Sequence, residues 1–209
     1  MKKAIITCLL LSTLSHNIMA QAQDITELTD AVYMDDMTSA PGTQATLSVQ
    51  IKNTTIDVRG FQFDLYLPEG INFATDADDF PIVELSTVRT TSRKMNYFDC
   101  AIQPDGALRV LANSSNAYTL SGTSGEVCTI TINIAPDIES GNHPIHFKNV
   151  IFTDPAAIRY SISETTSILN VTQDQSSVWG DLNNDGEATI SDVVLLVNHI
   201  LTKTLSNKK

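Results

Sequence analysis

The chain has 209 residues, 42% of them hydrophobic and 18% charged, and its 24 acidic against 13 basic residues give a net charge of −11. That balance excludes nucleic acid as a natural partner, because phosphate backbones call for clustered Lys and Arg and no such cluster occurs here. No stretch approaches the roughly 20 consecutive apolar residues of a membrane-spanning helix, and the length suits one substantial core with a small appendage.

In chain order the first element is a leader. Met1-Lys2-Lys3 is basic, Ala4 to Leu11 is mostly apolar, and Ala20-Gln21-Ala22 offers small residues for cleavage. These are the three parts of a secretory signal peptide over residues 1–22. Its removal takes Lys2 and Lys3 with it, leaving 11 basic and 24 acidic residues, a net charge of −13. The expected destination is outside the cytoplasm: secreted, at the cell surface or in the periplasm. Cys100 and Cys128 remain after cleavage, and two readings stay open for them. They form a disulfide, as an exported protein permits, or they are two buried free thiols packing as small hydrophobes.

From Ala31 to Val171 the pattern has period two, the signature of strands. Ala45, Leu47, Val49 and Ile51 alternate with Thr46, Ser48, Gln50 and Lys52; Phe61, Phe63, Leu65 and Leu67 alternate with Gln62, Asp64 and Tyr66; Cys128, Ile130, Ile132 and Ile134 alternate with Thr129, Thr131 and Asn133. One apolar and one polar face per strand is what two packed sheets require. Pro41-Gly42, Glu69-Gly70, Ser121-Gly122 and Gly141-Asn142 punctuate these runs, and Pro104-Asp105-Gly106 between Phe98–Ile102 and Leu108–Leu111 reads as a hairpin turn. The expected fold class is all-β, an antiparallel β-sandwich or jelly roll over residues 23–172.

Residues 173–179 read as a polar linker. Beyond Trp179-Gly180, Asp181, Asn183, Asp185 and Gly186 fit D-x-N-x-D-G, with Asp192 six residues past the glycine. Alternate oxygen-bearing residues on a tightly wound loop converge on a hard cation, which points to calcium. In that reading Asp181, Asn183 and Asp185 give side-chain oxygens, Glu187 its carbonyl, Thr189 a water-mediated contact, and Asp192 closes the site. Thr189-x-x-Asp192 also reads as a helix capping box; capping explains neither Asp181 nor Asn183. Apolar residues at 193, 196, 197, 200 and 201 then form one helical face, with fraying expected from Thr202 onward.

The stretch from Gly180 to Leu201 resembles one repeat of a type I dockerin, without gaps. It has one repeat where dockerins ordinarily have two. Ile190-Ser191 stands where a Ser/Thr pair often precedes the closing Asp, and Val197 and Asn198 replace residues that are frequently basic. The departures bear on docking and leave the calcium loop intact. The preceding domain resembles a cohesin, or more broadly the related carbohydrate-binding sandwich superfamily, on Thr43–Lys52, Val58 to Leu65, Leu108 to Ser115 and Gly125–Ile134.

Together the two resemblances imply an exported, non-catalytic calcium-binding scaffold or adhesion protein. Its cohesin-like domain recognises a protein partner, and its half-dockerin tail, residues 180–203, docks through Val193, Leu196, Val197 and Ile200. The implied partners are cohesin- or dockerin-bearing proteins, a second copy of this chain included. The alternatives are a carbohydrate-binding module acting with a polysaccharide-degrading system and, further off, a glycoside hydrolase, for which no carboxylate pair stands out. Tyr66, on the polar side of its strand, is the candidate for stacking on a sugar. His143 and His146, three apart on a strand, point to opposite faces and do not suggest a shared metal. Asp76, Asp78 and Asp79 read as solvated loop acids, with a second calcium site as the alternative. Asp181→Ala is expected to abolish stabilisation by calcium. With a Kd of about 10⁻⁴–10⁻³ M for a single extracellular module, ~10 mM calcium should contribute roughly 1.5–2.5 kcal/mol. Thermal melts with calcium and with chelator check this, and residual sensitivity in the variant would shift attention to Asp76–Asp79.

Overall fold

The computed structural model describes residues 28–172, 182 and 188–206, the last six by their backbone. The leader, the linker with Trp179, and Asp181, Asn183, Asp185, Gly186 and Glu187 lie outside the described residues. The strands are β1 (Asp30–Tyr33), β2 (Met37–Ser39), β3 (Gln44–Asn53), β4 (Gly60–Tyr66), β5 (Ile71–Phe73), β6 (Val83–Leu85), β7 (Tyr97–Ile102), β8 (Leu108–Asn113), β9 (Ser124–Ile134), β10 (Gly141–Thr153), β11 (Arg159–Ser161) and β12 (Thr165–Val171), followed by helix α1 (Ile190–Ser206).

They build the expected sandwich. One sheet has the order β1-β3-β9-β5, with β6 also paired to β9; the other runs β2-β12-β10-β4-β8-β7, with β11 on β10. The β2–β12 pair is parallel and the other pairings are antiparallel. The alternation read from sequence sets the layers. Leu47, Val49 and Ile51 of β3 and Cys128, Ile130 and Ile132 of β9 face Phe63 and Leu65 of β4, Val110 of β8 and Phe147 of β10 across a dry core. Phe63 lies between two other rings, edge-on to Phe147 at 5.7 Å and stacked with Phe61 at 6.2 Å, separations at which aromatic pairs attract.

The Pro104-Asp105-Gly106 turn joins β7 to β8 as expected, pairing Ile102 with Leu108. Gly106 has φ +85°, a conformation that a side chain disfavours. The helix extends further than expected, to Ser206. Neither Gly nor Pro interrupts residues 190–206. No helix among the described residues is long and apolar enough to cross a membrane.

Arg89, between β6 and β7, is buried with no carboxylate partner among the described residues. Its guanidinium donates to the carbonyls of Ile51 (2.7 Å), Ser121 (2.8 Å) and Gly122 (2.6 Å) and to Asn53 Oδ1 (2.6 Å). Burial pulls its pKa down, but from so high a value that the charge persists. One side chain thus satisfies the end of β3 and the loop before β9. Gly125 leaves room for it, since a Cβ there would meet Arg89 Cδ at 3.2 Å. Arg89→Lys keeps the charge and loses the planar fork, stranding at least one buried acceptor. Urea denaturation should show a loss of about 2–3 kcal/mol with an unchanged slope.

Candidate functional site

The two outer faces of the sandwich differ in chemistry. The five-stranded sheet shows mostly short polar groups to solvent, Thr46, Ser48 and Gln50 on β3 and Thr129, Thr131 and Asn133 on β9, with Tyr33 on β1, Lys52 on β3 and Glu84 on β6 beside them. Its Glu126 carboxylate accepts the Ser48 and Ser86 hydroxyls, each at 2.6 Å, and these bonds hold its pKa down. The seven-stranded sheet carries Tyr97 on β7, Arg109 and Leu111 on β8, Asp64 and Tyr66 on β4, and Lys148 and Ile151 on β10. Aromatic residues and Arg set in partly apolar surroundings are the composition of recognition surfaces.

At the centre of that face Asp64 is only 2% exposed. Arg109 on the neighbouring strand grips both its oxygens, Nε to Oδ1 and Nη2 to Oδ2, each at 2.7 Å. From the other side Asn149 donates Nδ2 to Oδ2 at 2.7 Å. Asn149 reaches it because β10 bulges between Lys148 and Ile151, where Asn149 has φ +49°. The Arg109 hydrogen bonds hold the Asp64 carboxyl below its usual range, against the opposing effect of burial. Sequence reading placed Asp64 on the polar face and did not pair it; cross-strand acid and base residues are the signal that points to such a pair.

Tyr66, the sugar-stacking candidate, is engaged by its neighbours. Its hydroxyl donates to Asp105 Oδ2 at 2.8 Å in the β7–β8 turn, and Lys148 Nζ sits 5.0 Å from the ring centroid. The hydrogen bond raises the Tyr66 pKa and lowers that of Asp105. A sugar stacking on the Lys148 side of the ring has to displace that ammonium.

Of the tail's candidate ligands, Thr189 and Asp192 are described. Asp192 is 2% exposed. Its Oδ1 accepts the Leu182 N–H at 2.8 Å, and its Oδ2 accepts the Thr189 N–H at 2.7 Å and the Thr189 hydroxyl at 3.2 Å. The Ser191 N–H donates to Thr189 Oγ1 at 3.3 Å. This is the N-terminal cap of α1, and it also draws the beginning and the end of the loop to one carboxylate. On α1, Val193, Leu196, Val197 and Ile200 are about half-exposed, as are Val194 and Leu195. A helix this apolar on several sides ordinarily lies within an assembly.

The other candidates have local roles. Cys100, half-buried, and Cys128, buried, are free thiols here, and burial pushes both pKa values up. Asp76 Oδ1 accepts the N–H groups of Asp78 (2.9 Å) and Phe80 (3.0 Å), shaping a turn. His143 bonds the Glu139 carbonyl at 2.8 Å and His146 the Thr166 hydroxyl at 2.9 Å.

No family model matches the chain. No curated protein matches it either. Among solved structures the likeness is to cohesins. A type I cohesin of Clostridium thermocellum, Coh-OlpA, solved in complex with dockerin Doc918, has TM-score 0.56 at 14% identity, over 69% of this chain and 100% of its own. The sixth cohesin of scaffoldin B from Acetivibrio cellulolyticus, also solved with a dockerin, gives 0.57 at 14% identity over 69% and 100%. A non-cellulosomal cohesin from the archaeon Archaeoglobus fulgidus gives 0.54 at 12% identity over 74% and 98%. The class is therefore an antiparallel β-sandwich with one distinctive outer face. The particular fold is that of the cohesin modules.

Asp64 is ionised in the folded state below its unfolded pKa, so its pair stabilises the protein above the unfolded value near 3.8 and is lost as pH falls through the depressed folded value. Asp64→Asn is expected to lose roughly 2–3 kcal/mol at pH 7, below the usual range for a broken buried pair because Arg109 reaches solvent. The difference from the parent protein should shrink as pH falls below 4, which urea melts across pH 2–7 would measure.

Proposed function

We propose that this protein is an exported, non-catalytic recognition protein that docks a partner protein on the outer face of its seven-stranded sheet. The observation that carries the reading is the asymmetry of the sandwich. The five-stranded face is dominated by short polar groups, with Tyr33, Lys52, Glu84 and Glu126 among them. The other gathers Tyr66, Tyr97, Leu111, Ile151 and Lys148 around an ion pair whose carboxylate, Asp64, is buried. The comparisons support a protein partner, since two of the similar cohesins were solved with dockerins. A dockerin-bearing protein is accordingly the first candidate partner.

Residues 180–203 act, in this proposal, as a half-dockerin tail that calcium locks. The donor set suits a hard cation, since Asp181, Asn183, Asp185 and Asp192 offer oxygen alone. Asp192 is buried and faces both ends of the loop, where it would close the site. Asp181, Asn183 and Asp185 would supply the remaining side chains and Glu187 its carbonyl. The cation would fix the loop against the first turn of α1 and present Val193, Leu196, Val197 and Ile200 to a sandwich, its own or a neighbour's.

Two measurements test the two halves. Two-repeat dockerin modules from the same cell should bind the full chain, and Lys148→Glu should weaken that binding roughly tenfold or more. Unchanged affinity would overturn the docking face, and glycan binding that vanishes with Tyr66→Ala would make the protein a carbohydrate-binding module instead. For the tail, size and helix signal should depend on calcium. Identical monomers with identical helix signal in calcium and in chelator would overturn it.

A further inference from the structure

Gly60 is the one outward position on β4 without a side chain, and a notch opens there. Across the sheet it pairs with Asn113 on β8 and Thr153 on β10. The notch encloses about 230 Å³ and is walled by Leu111 and Ile151, with Arg59 and Arg159 at its rim. Arg59 is fixed in place, donating Nε to the Ser114 carbonyl at 3.0 Å and Nη1 to the Pro155 carbonyl at 3.3 Å. Arg159 is exposed, and its side chain makes no hydrogen bond among the described residues. Neither arginine has an ion-pair partner among them, although acids outnumber bases almost two to one along the chain. The nearby Asp154 is turned to other donors, the Ile158 N–H at 2.8 Å and the Tyr160 hydroxyl at 3.1 Å.

We propose that this notch receives one acidic side chain, Asp or Glu, of the docked protein partner. The inference rests on the reading of this sheet face as the docking surface and adds the chemistry the partner brings to it. Two guanidinium groups that line one notch, neither paired with an acid among the described residues, suit a carboxylate, while Leu111 and Ile151 would pack against the methylenes behind it. Size decides between occupants. Small-molecule pockets run from about 300 to 1,000 Å³, so the notch accommodates a side chain better than a sugar ring, and Phe61, the aromatic residue in its lining, is buried and offers no exposed platform.

The test is an NMR titration of the ¹⁵N-labelled full chain with N-acetyl-glutamate amide, its neutral glutamine analogue and glucuronate. The glutamate probe should shift the amides of residues 60–62, 111–113 and 151–153 and saturate at millimolar concentration. The glutamine analogue should not. Arg159→Glu should weaken the glutamate probe roughly tenfold or more with the remaining spectrum unchanged. Gly60→Ala, whose Cβ would lie 2.8 Å from Asn113 Oδ1, should close the notch to the same degree. Equal response to the glutamine analogue, no effect of Arg159→Glu, or tighter binding of glucuronate than of the glutamate probe would overturn the proposal. If the titration fails while Lys148→Glu still weakens dockerin binding, the notch assignment alone falls. If Lys148→Glu has no effect on that binding, the docking face itself falls.

Discussion

Asp64 holds a full negative charge at 2% exposure in the middle of a sheet, and three strands are arranged around that fact. Removing a carboxylate from water is expensive, and attraction offsets it only when hydrogen bonding saturates the charge. Here the offset comes from Arg109 on β8 and Asn149 on β10, both bonded to one residue of β4. A slip of either neighbour by one residue turns its donor toward the apolar core. The pair thus fixes the register of β10, β4 and β8, which is also the surface that carries the distinctive groups. Stability and recognition meet on the same three strands.

The rest of that face follows from the same geometry. The bulge that delivers Asn149 interrupts β10 and leaves Lys148 over Tyr66 on one side and Ile151 beside Gln62 on the other. Tyr66 is tied to the β7–β8 turn through Asp105. These groups need little reordering on binding, which lowers the entropic cost of docking. The opposite face is dominated by short Thr, Ser and Asn side chains and has no buried carboxylate gripped by an arginine among the described residues. Such a difference between two sides of one sandwich is how a common fold acquires a particular role.

The tail works by a different principle. Its helix has apolar residues on several sides and a cap, Thr189 with Asp192, that also gathers the loop. A helix of 17 residues with so much apolar surface gains most of its stability from what it packs against. In the proposed reading, calcium orders the loop and the docked surface then completes the helix, so each contributes to the other's affinity.

Much of the fold was legible in the sequence, because burial on one side of a strand writes itself as period-two alternation. Strands β3, β4 and β9, the β7–β8 hairpin and the capped helix could all be read from spacing and turn residues. Strand β10 was legible only at its start, where His143 and His146 read as strand residues: further on its bulge replaces the two-residue step with Phe147, Val150 and Phe152 facing inward. The candidate loop ligands Asp181, Asn183, Asp185 and Asp192 could be named from sequence since their spacing is local. Asp64, Arg109 and Asn149 lie 45 and 85 residues apart along the chain, and Gly60 acquires meaning only from Asn113 and Thr153 beside it. The sequence alone determined which residues face inward and where the chain turns, since both depend on near neighbours. Which polar residues meet across strands, and which groups share an outer face, was decided by tertiary structure, because sheet register joins residues that local pattern cannot relate.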